Sequence, residues 1–283
     1  MSTTTHSQST LPPAPWKSLF LTHLSKLPSP EFVLATVQPS PLEDAPVPYI
    51  PRLRYCIFRG MWTELPPNNR NSAPQNSHVY ESELPTFTTD VRMEKVPQIF
   101  ASSAGHGDVS QSQGSGGGGP VEAVWWIKEV GTQWRVRGEA FVIDRDIEGG
   151  GEEQESSGVR TVKSEIGKRM RLVKPESEAE WSWGTELTAH FGNVSPGMRG
   201  SWKNPPPGTP VKGNEPDKNH VLGQKVNDLE DPIARSNFRV VVIKPESVEQ
   251  LDLSDPEKAR RWRYDFIEGE GGKGEWTVTE LWP

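Results

Sequence analysis

The stretch VEAVWWIKEVGTQWRVRGEAFVI, residues 121–143, decides the fold class. Its two halves, residues 121–130 and 132–143, are rich in β-branched and aromatic residues, and Gly131 stands between them. Two such runs around a glycine predict a β-hairpin. Trp125 and Trp126 are adjacent in the first strand, so their side chains must point to opposite faces. We expect one in the core and the other at a pocket or an interface.

Short apolar segments on both sides of this hairpin predict further strands. Their residues are 31–38, 53–62, 85–90, 238–251 with an interruption near Pro245, and a last hairpin of 262–267 and 276–281. Apolar residues at helical spacing predict only short helices, at 15–27, 92–100 and 177–191. Many strands with few, short helices predict a mainly β protein built as an antiparallel barrel.

The 283-residue chain is rich in glycine (26) and proline (27), which favours turns and long loops over a helical bundle. Residues 1–12 are predicted to be a disordered tail. Four polar stretches are predicted to be insertions, at residues 66–84, 103–120, 146–160 and 204–236. The remainder, between residues 13 and 283, is enough for a single domain with a sizeable core.

Charge and cysteine content exclude several classes of protein. The net charge is −7, whereas a nucleic-acid-binding protein needs a basic face for phosphates. No apolar run approaches the ~18 residues of a membrane span. The single cysteine, Cys56, excludes an internal disulfide, and the six histidines show no zinc-ligand spacing. We therefore expect a soluble cytoplasmic protein without a metal, a nucleic-acid partner or a membrane partner, and with Cys56 buried in a strand.

Cations inside apolar strands are the most informative feature of the sequence. Arginines 54, 59, 135, 137 and 263 lie in predicted strands, and Arg260 and Arg261 directly precede the strand of residues 262–267 in the segment ARRWRYDF. Lys95 lies one helical turn after the predicted strand of residues 85–90. A buried charge is costly unless it is paired. Ion pairs with acids such as Glu122 and Glu139 would satisfy these cations. A bound anion would do so equally well, because an arginine fork suits phosphate.

The order of motifs resembles that of the pyridoxamine 5′-phosphate oxidase-like, FMN-binding split-barrel family, and within it the subgroup of uncharacterised FMN-binding domains. The resemblance runs from Ala14 to the C-terminal LWP and covers nearly all of the chain outside the insertions. Its pieces are APWKSLFLTHL, FVLATV, RYCIFRG, FTTDVRMEKVPQI, VWWIKEVGTQWRVRGEAF, SPGMRGSWKNPPPG, NFRVVVIKPESVEQLDL and RWRYDF…WTVTELWP. No single piece is decisive, but all eight occur in the family's order.

This resemblance implies a six-stranded antiparallel split β-barrel and a homodimer with FMN at the interface. Arg54 and Lys95 match the family's phosphate ligands, and Thr88 and Thr89 match the stretch beside the phosphate and ribityl chain. Gln133 matches the glutamine near the flavin ring, and Arg261 matches the arginine near the ring's polar edge. These six residues are therefore the predicted cofactor-binding set.

The sequence also departs from the family's pattern at the substrate side. Glu257 and Ala259 replace the Arg-x-His pair that binds substrate in the true oxidase. Glu94 replaces one basic residue of the phosphate helix, for which we expect Arg92 to compensate. Leu251 replaces an aromatic residue near the flavin. Arg59 stands where the oxidase has a lysine, which makes it the substrate-side candidate.

Three functions are compatible with this pattern. The first is an FMN-dependent oxidoreductase of unknown substrate, with doubtful activity on pyridoxamine phosphate. The second is a flavin carrier or sensor without turnover, and the third is a split barrel that has become an interaction module. The predicted cofactor-binding set favours the first two, and no side chain stands out as a catalytic acid or base.

Overall fold

The computed structural model describes residues 11–42, 46–103, 112–148, 155–215, 217–269 and 274–283. Its ten strands are β1 (Glu31–Pro39), β2 (Tyr49–Met61), β3 (Tyr80–Ser82), β4 (Pro85–Asp90), β5 (Gly116–Ile127), β6 (Thr132–Ile143), β7 (Met170–Leu172), β8 (Phe238–Asp252), β9 (Arg260–Glu268) and β10 (Gly274–Leu281). Its six α-helices are α1 (Lys17–Leu24), α2 (Lys95–Ala101), α3 (Ser157–Gly167), α4 (Trp183–Asn193), α5 (Pro196–Ser201) and α6 (Pro232–Asn237). The predicted disordered tail lies outside the described residues except for positions 11 and 12.

Six antiparallel strands close into a ring in the order β1-β2-β4-β8-β6-β5, with β5 pairing back onto β1. The β9–β10 hairpin extends the sheet from β8. The predicted mainly β, six-stranded split barrel is confirmed. The central hairpin is confirmed as well, and Gly131 makes its turn with a left-handed φ of 57°.

The barrel interior is filled by aromatic side chains, and α1 closes it. Phe20 of α1 is fully buried, and its ring centre lies 5.1 Å from that of Trp125 and 5.5 Å from that of Trp134. Burying one such ring contributes roughly 1.5–3 kcal/mol. Trp126 points the other way and is 51% exposed, as the alternation of the strand predicts.

A second apolar core lies outside the barrel, beneath α3 and α4. There Phe191 and Trp202 pack on Phe238 of β8. Because β8 has a core on both faces, most of its side chains are buried. Among the described residues, no helix is long and apolar enough to cross a membrane.

The structure differs from the sequence prediction at several boundaries. Residues 116–120 of the predicted insertion 103–120 form the start of β5. The glycines are needed there because a Cβ at Gly119 would lie 2.3 Å from the Ile99 carbonyl oxygen of α2. The predicted helix 177–191 begins only at Trp183, after a 3-10 turn. Strand β8 runs through Pro245, which sits in a bulge opposite Gly138 instead of interrupting the strand.

Candidate functional site

The Arg54 side chain lies on the inward-facing side of β2, where α2 covers the barrel. Its Nη1 donates to Thr36 Oγ1 of β1 at 2.6 Å, and its Nη2 donates to Gln98 Oε1 of α2 at 2.6 Å. Thr36 also donates to that Gln98 oxygen at 2.6 Å. The guanidinium is therefore held by neutral oxygens only, and it forms no ion pair within the described part of the chain.

Lys95 is the first residue of α2, and only 9% of it is exposed. Its Nζ donates to Thr89 Oγ1 at 3.1 Å and lies 3.0 Å from Met93 Sδ. The Thr89 carbonyl is in turn fixed by Trp202 Nε1 at 3.1 Å. Like Arg54, Lys95 has no carboxylate partner among the residues described.

Both cations interact electrostatically with Cys56, which is buried as predicted. Burial lowers the pKa of both Lys95 and Arg54. Burial raises the pKa of the Cys56 thiol to about 11, although both cations oppose this change. We call Thr36, Arg54, Thr89, Lys95 and Gln98 the cationic corner. It holds two partly dehydrated positive charges and three neutral hydrogen-bonding side chains.

Thr88 and Arg59 lie on a different face from the cationic corner. Adjacent residues of a strand point to opposite sides, so Thr88 turns away from Thr89. Arg59 Nε donates to Thr88 Oγ1 in a long bond of 3.4 Å. Burial lowers the pKa of Arg59, and it forms no ion pair within the described ranges. The structure thus places the substrate-side candidate beside Thr88.

Gln133 and Arg261 lie in a third place, on the outward face of the sheet. Strand register puts them in one row, which we call the outer row and which consists of Trp126, Gln133, Leu251, Arg261 and Leu281. Arg261 Nε donates to Glu249 Oε2 at 3.1 Å, and its Nη2 also contacts that oxygen. The barrel's apolar interior separates this row from the cationic corner, because Leu34, Ala123 and Val136 are fully buried between them.

The expectation that Arg92 compensates for the missing basic residue is not met. Arg92 is bound to both carboxylate oxygens of Asp90, at 2.9 and 2.6 Å. Its remaining donors go to the carbonyls of Trp202 and Asn204. Glu94 is exposed and pairs with Arg52 at 3.0 Å. The cationic corner therefore has Arg54 and Lys95 as its two cations.

The alternatives of ion pairing and anion binding divide among the strand cations, some of which form ion pairs while others do not. Arg135 pairs with Glu122 at 2.5 Å, as the first alternative predicts. Glu139 instead pairs with Lys244 at 2.6 Å. Arg54, Arg59 and Lys95 have no such partner in the portion of the chain described. These three cations, together with the exposed Arg137 of β6, have no carboxylate partner among the residues described and are left for an anion to balance.

Sequence reasoning missed Thr36 and Gln98. Thr36 occupies an inward position of β1 in line with Phe32 and Leu34, both of which are buried. Gln98 lies on the buried side of α2 and is 4% exposed. A polar residue at an inward position of an apolar strand or helix was the available signal.

Residues 13–144, just under half of the chain, match the family model described as "Pyridoxamine 5'-phosphate oxidase, FMN-binding domain". This match confirms the resemblance to that family over the matched segment. It contains five of the six predicted cofactor-binding residues, and Arg261 lies beyond it. No curated protein matches the chain in sequence.

One solved structure supports the fold, and two others are less similar. A pyridoxamine 5′-phosphate oxidase-related, FMN binding protein from Nostoc punctiforme PCC 73102 is 18% identical, with a TM-score of 0.56 over 96% of this chain and 100% of that one. PhzG from Burkholderia lata 383, in complex with tetrahydrophenazine-1-carboxylic acid, is 15% identical with a TM-score of 0.36, over 98% and 97% of the two chains. The General Stress Protein 26 from Bacillus anthracis str. Sterne is 12% identical with a TM-score of 0.32, over 83% and 92%. Only the first of these likenesses is strong enough to bear on the fold.

Proposed function

We propose that this protein binds FMN and that the cationic corner holds the flavin phosphate. The observation that carries the proposal is a pair of cations, the buried Lys95 and the half-buried Arg54, without a carboxylate partner among the described residues. A phosphate monoester carries nearly two negative charges and three acceptor oxygens, so it balances both cations. Thr36 and Thr89 hold the two cations in place by accepting hydrogen bonds from them. The donor set therefore fits the phosphate of FMN.

We further propose that two copies of the chain complete each flavin site. Gln133 and Arg261 face outward, on the far side of the barrel core from the cationic corner, so one flavin cannot touch both sets on one chain. Beside the outer row, β2, β1 and β5 expose an apolar face. Its most exposed members are Leu53 (66%), Tyr55 (77%) and Trp126 (51%). A contiguous apolar patch of this kind marks an association surface, and a second copy would cover it.

In this arrangement the flavin supplies the redox chemistry, and the chain supplies orientation and electrostatics. The cationic corner fixes one end of the cofactor. Arg261 uses Nε and Nη2 on Glu249, which leaves Nη1 free to donate a hydrogen bond to the polar edge of the ring. Gln133 presents an amide from the same row. Both groups favour negative charge at that edge, while Glu249 moderates the charge of Arg261.

We propose an oxidoreductase whose substrate differs from pyridoxamine phosphate. Glu257 lies in the 3-10 turn before β9, and Ala259 follows that turn. Neither side chain can hold a substrate phosphate, because one is an acid and the other is a methyl group. The replacement of the substrate-binding pair by Glu257 and Ala259 also supports the second candidate, a flavin carrier or sensor without turnover.

The visible spectrum of the purified protein after FMN addition and removal of the excess tests the proposal. We expect bound-flavin absorbance in the wild type and none in Arg54→Ala/Lys95→Ala. Arg260→Ala/Lys26→Ala removes the same charges from exposed positions and should behave as the wild type. A wild type that stays colourless and does not quench FMN fluorescence would refute flavin binding. Reduction of the bound flavin by NAD(P)H would favour the oxidoreductase over the carrier.

A further inference from the structure

A polar groove of about 420 Å³ crosses the outward faces of β5, β6, β8 and β9. It is lined by three arginines and three carboxylates, together with a serine: Glu122, Arg135, Arg137, Ser247, Glu249, Arg263 and Asp265. None of these residues belongs to the predicted cofactor-binding set. We call this feature the arginine groove.

Ion pairs use all the charges of the arginine groove except one. Arg135 lies 2.5 Å from Glu122 and 3.7 Å from Glu249, and Arg263 lies 2.7 Å from Asp265. Arg137 is exposed and has no hydrogen bond or ion pair in the described part of the molecule. Its directly opposed acid, Glu122, is taken by Arg135 instead. One guanidinium fork is therefore left available at the groove.

A free hydroxyl stands next to this free guanidinium. Ser247 is the direct cross-strand neighbour of Arg137, and it is 6% exposed at the floor of the groove. Its hydroxyl has no hydrogen-bond partner among the residues that the structure describes. Side chains of directly opposed residues lie about 5 Å apart at their Cβ atoms, so one small group can reach both.

A β-bulge aims Ser247 into the groove. Strand register shifts between Arg137 and Gly138, where Glu246 of β8 is the extra residue. The bulge requires Gly138, since a Cβ there would lie 2.0 Å from the Lys244 carbonyl oxygen. Bulges re-aim side chains, and they occur frequently beside functional sites. The irregularity thus coincides with the only pair of unpartnered polar side chains that we find among the groove's described lining residues.

We infer that the arginine groove binds a small organic carboxylate, held by the Arg137 fork and the Ser247 hydroxyl. A carboxylate accepts two parallel hydrogen bonds from a guanidinium and has lone pairs left for a hydroxyl. The charge balance favours a monoanion. Three arginines face three carboxylates, and Arg261 pairs with Glu249 from beside the groove, so one positive charge is left over. A monoanion balances this charge, whereas a dianionic phosphate would add unbalanced negative charge beside Glu122 and Asp265.

Calorimetric titration of the flavin-free protein with sodium benzoate at low ionic strength tests this inference. We expect one saturable site per chain, at least tenfold weaker in Arg137→Gln and in Ser247→Ala. Arg260→Gln removes the same charge from the opposite face of β9 and should bind as the wild type. Inorganic phosphate at pH 8 should bind more weakly than benzoate. Thermal unfolding of each variant shows that the fold is retained.

Four results would overturn the inference. The inference fails if the wild type does not bind benzoate. It also fails if both groove variants bind benzoate with the affinity of the wild type. Tighter binding of phosphate than of benzoate contradicts the charge balance. A change of oligomeric state in Arg137→Gln without a change in benzoate affinity would make Arg137 an interface residue instead. Because the titration contains no FMN, its outcome is independent of the proposed flavin site.

Discussion

Replacing Lys95 by methionine should weaken FMN binding and leave riboflavin binding intact. The substitution keeps most of the side-chain volume in a site that is only 9% exposed, and it removes the charge that lies 3.1 Å from Thr89 Oγ1. A hydrogen bond to a charged group contributes roughly 1.5–3 kcal/mol. Since each ~1.4 kcal/mol is a factor of ten, the FMN dissociation constant should rise about 10- to 150-fold.

Fluorescence quenching during titration with each flavin measures this effect. Riboflavin lacks the phosphate, so its affinity should be the same in the wild type and in Lys95→Met. Lys26→Met changes an exposed lysine and serves as the matched control for both flavins. An equal loss of affinity for FMN and riboflavin in Lys95→Met would refute the phosphate role of Lys95. It would show that the substitution disturbs the fold instead.

Three further predictions concern the thiol, the apolar face and a buried histidine. Because burial raises the pKa of Cys56 to about 11, the native protein should resist iodoacetamide at pH 8, and mass spectrometry should find alkylation only after denaturation. Trp126→Glu should give monomers that do not retain FMN in sedimentation velocity. Val211→Glu, at an 87% exposed position, should sediment and retain FMN as the wild type does. Burial lowers the pKa of His190 to about 3, so the unfolded chain takes up this proton first as the pH falls. Between pH 6.5 and pH 4 this should cost about 3 kcal/mol of unfolding free energy. Urea titrations should show that the free energy of unfolding of His190→Gln depends less on pH than that of the wild type. The opposing effect of Glu186, whose pKa is raised by burial, remains in this variant.

Strand alternation and hairpin signals predicted the barrel because they are local. The run around Gly131 contains both strands of a pair and its own turn, so its pairing needs no distant information. The glycine run of residues 116–119 was misread because its reason is tertiary. Those glycines let β5 pass close to α2, and nothing within the run itself indicates that neighbour.

The candidate site was predicted only in part, because some of its features are local in the sequence and others depend on tertiary neighbours. Arg54 and Lys95 stand out in sequence as cations within apolar segments, and the structure brings them together around Cys56. The engagement of Arg92 by Asp90, and of Arg261 by Glu249, depends on which neighbours the fold supplies. Charge spacing along one strand does not reveal those partners.

A mixture of two defective variants tests the central claim, a flavin site shared by two chains. One variant is Arg54→Ala/Lys95→Ala and the other is Gln133→Ala/Arg261→Ala, and each should fail to retain FMN alone. After the two are unfolded and refolded together, random pairing in a two-fold dimer should restore about a quarter of the sites, because half of the dimers are mixed and each of these has one intact site. FMN absorbance per chain after gel filtration measures this fraction. Retention near a quarter of the wild-type level is the predicted result, and no retention in the mixture would contradict the shared site.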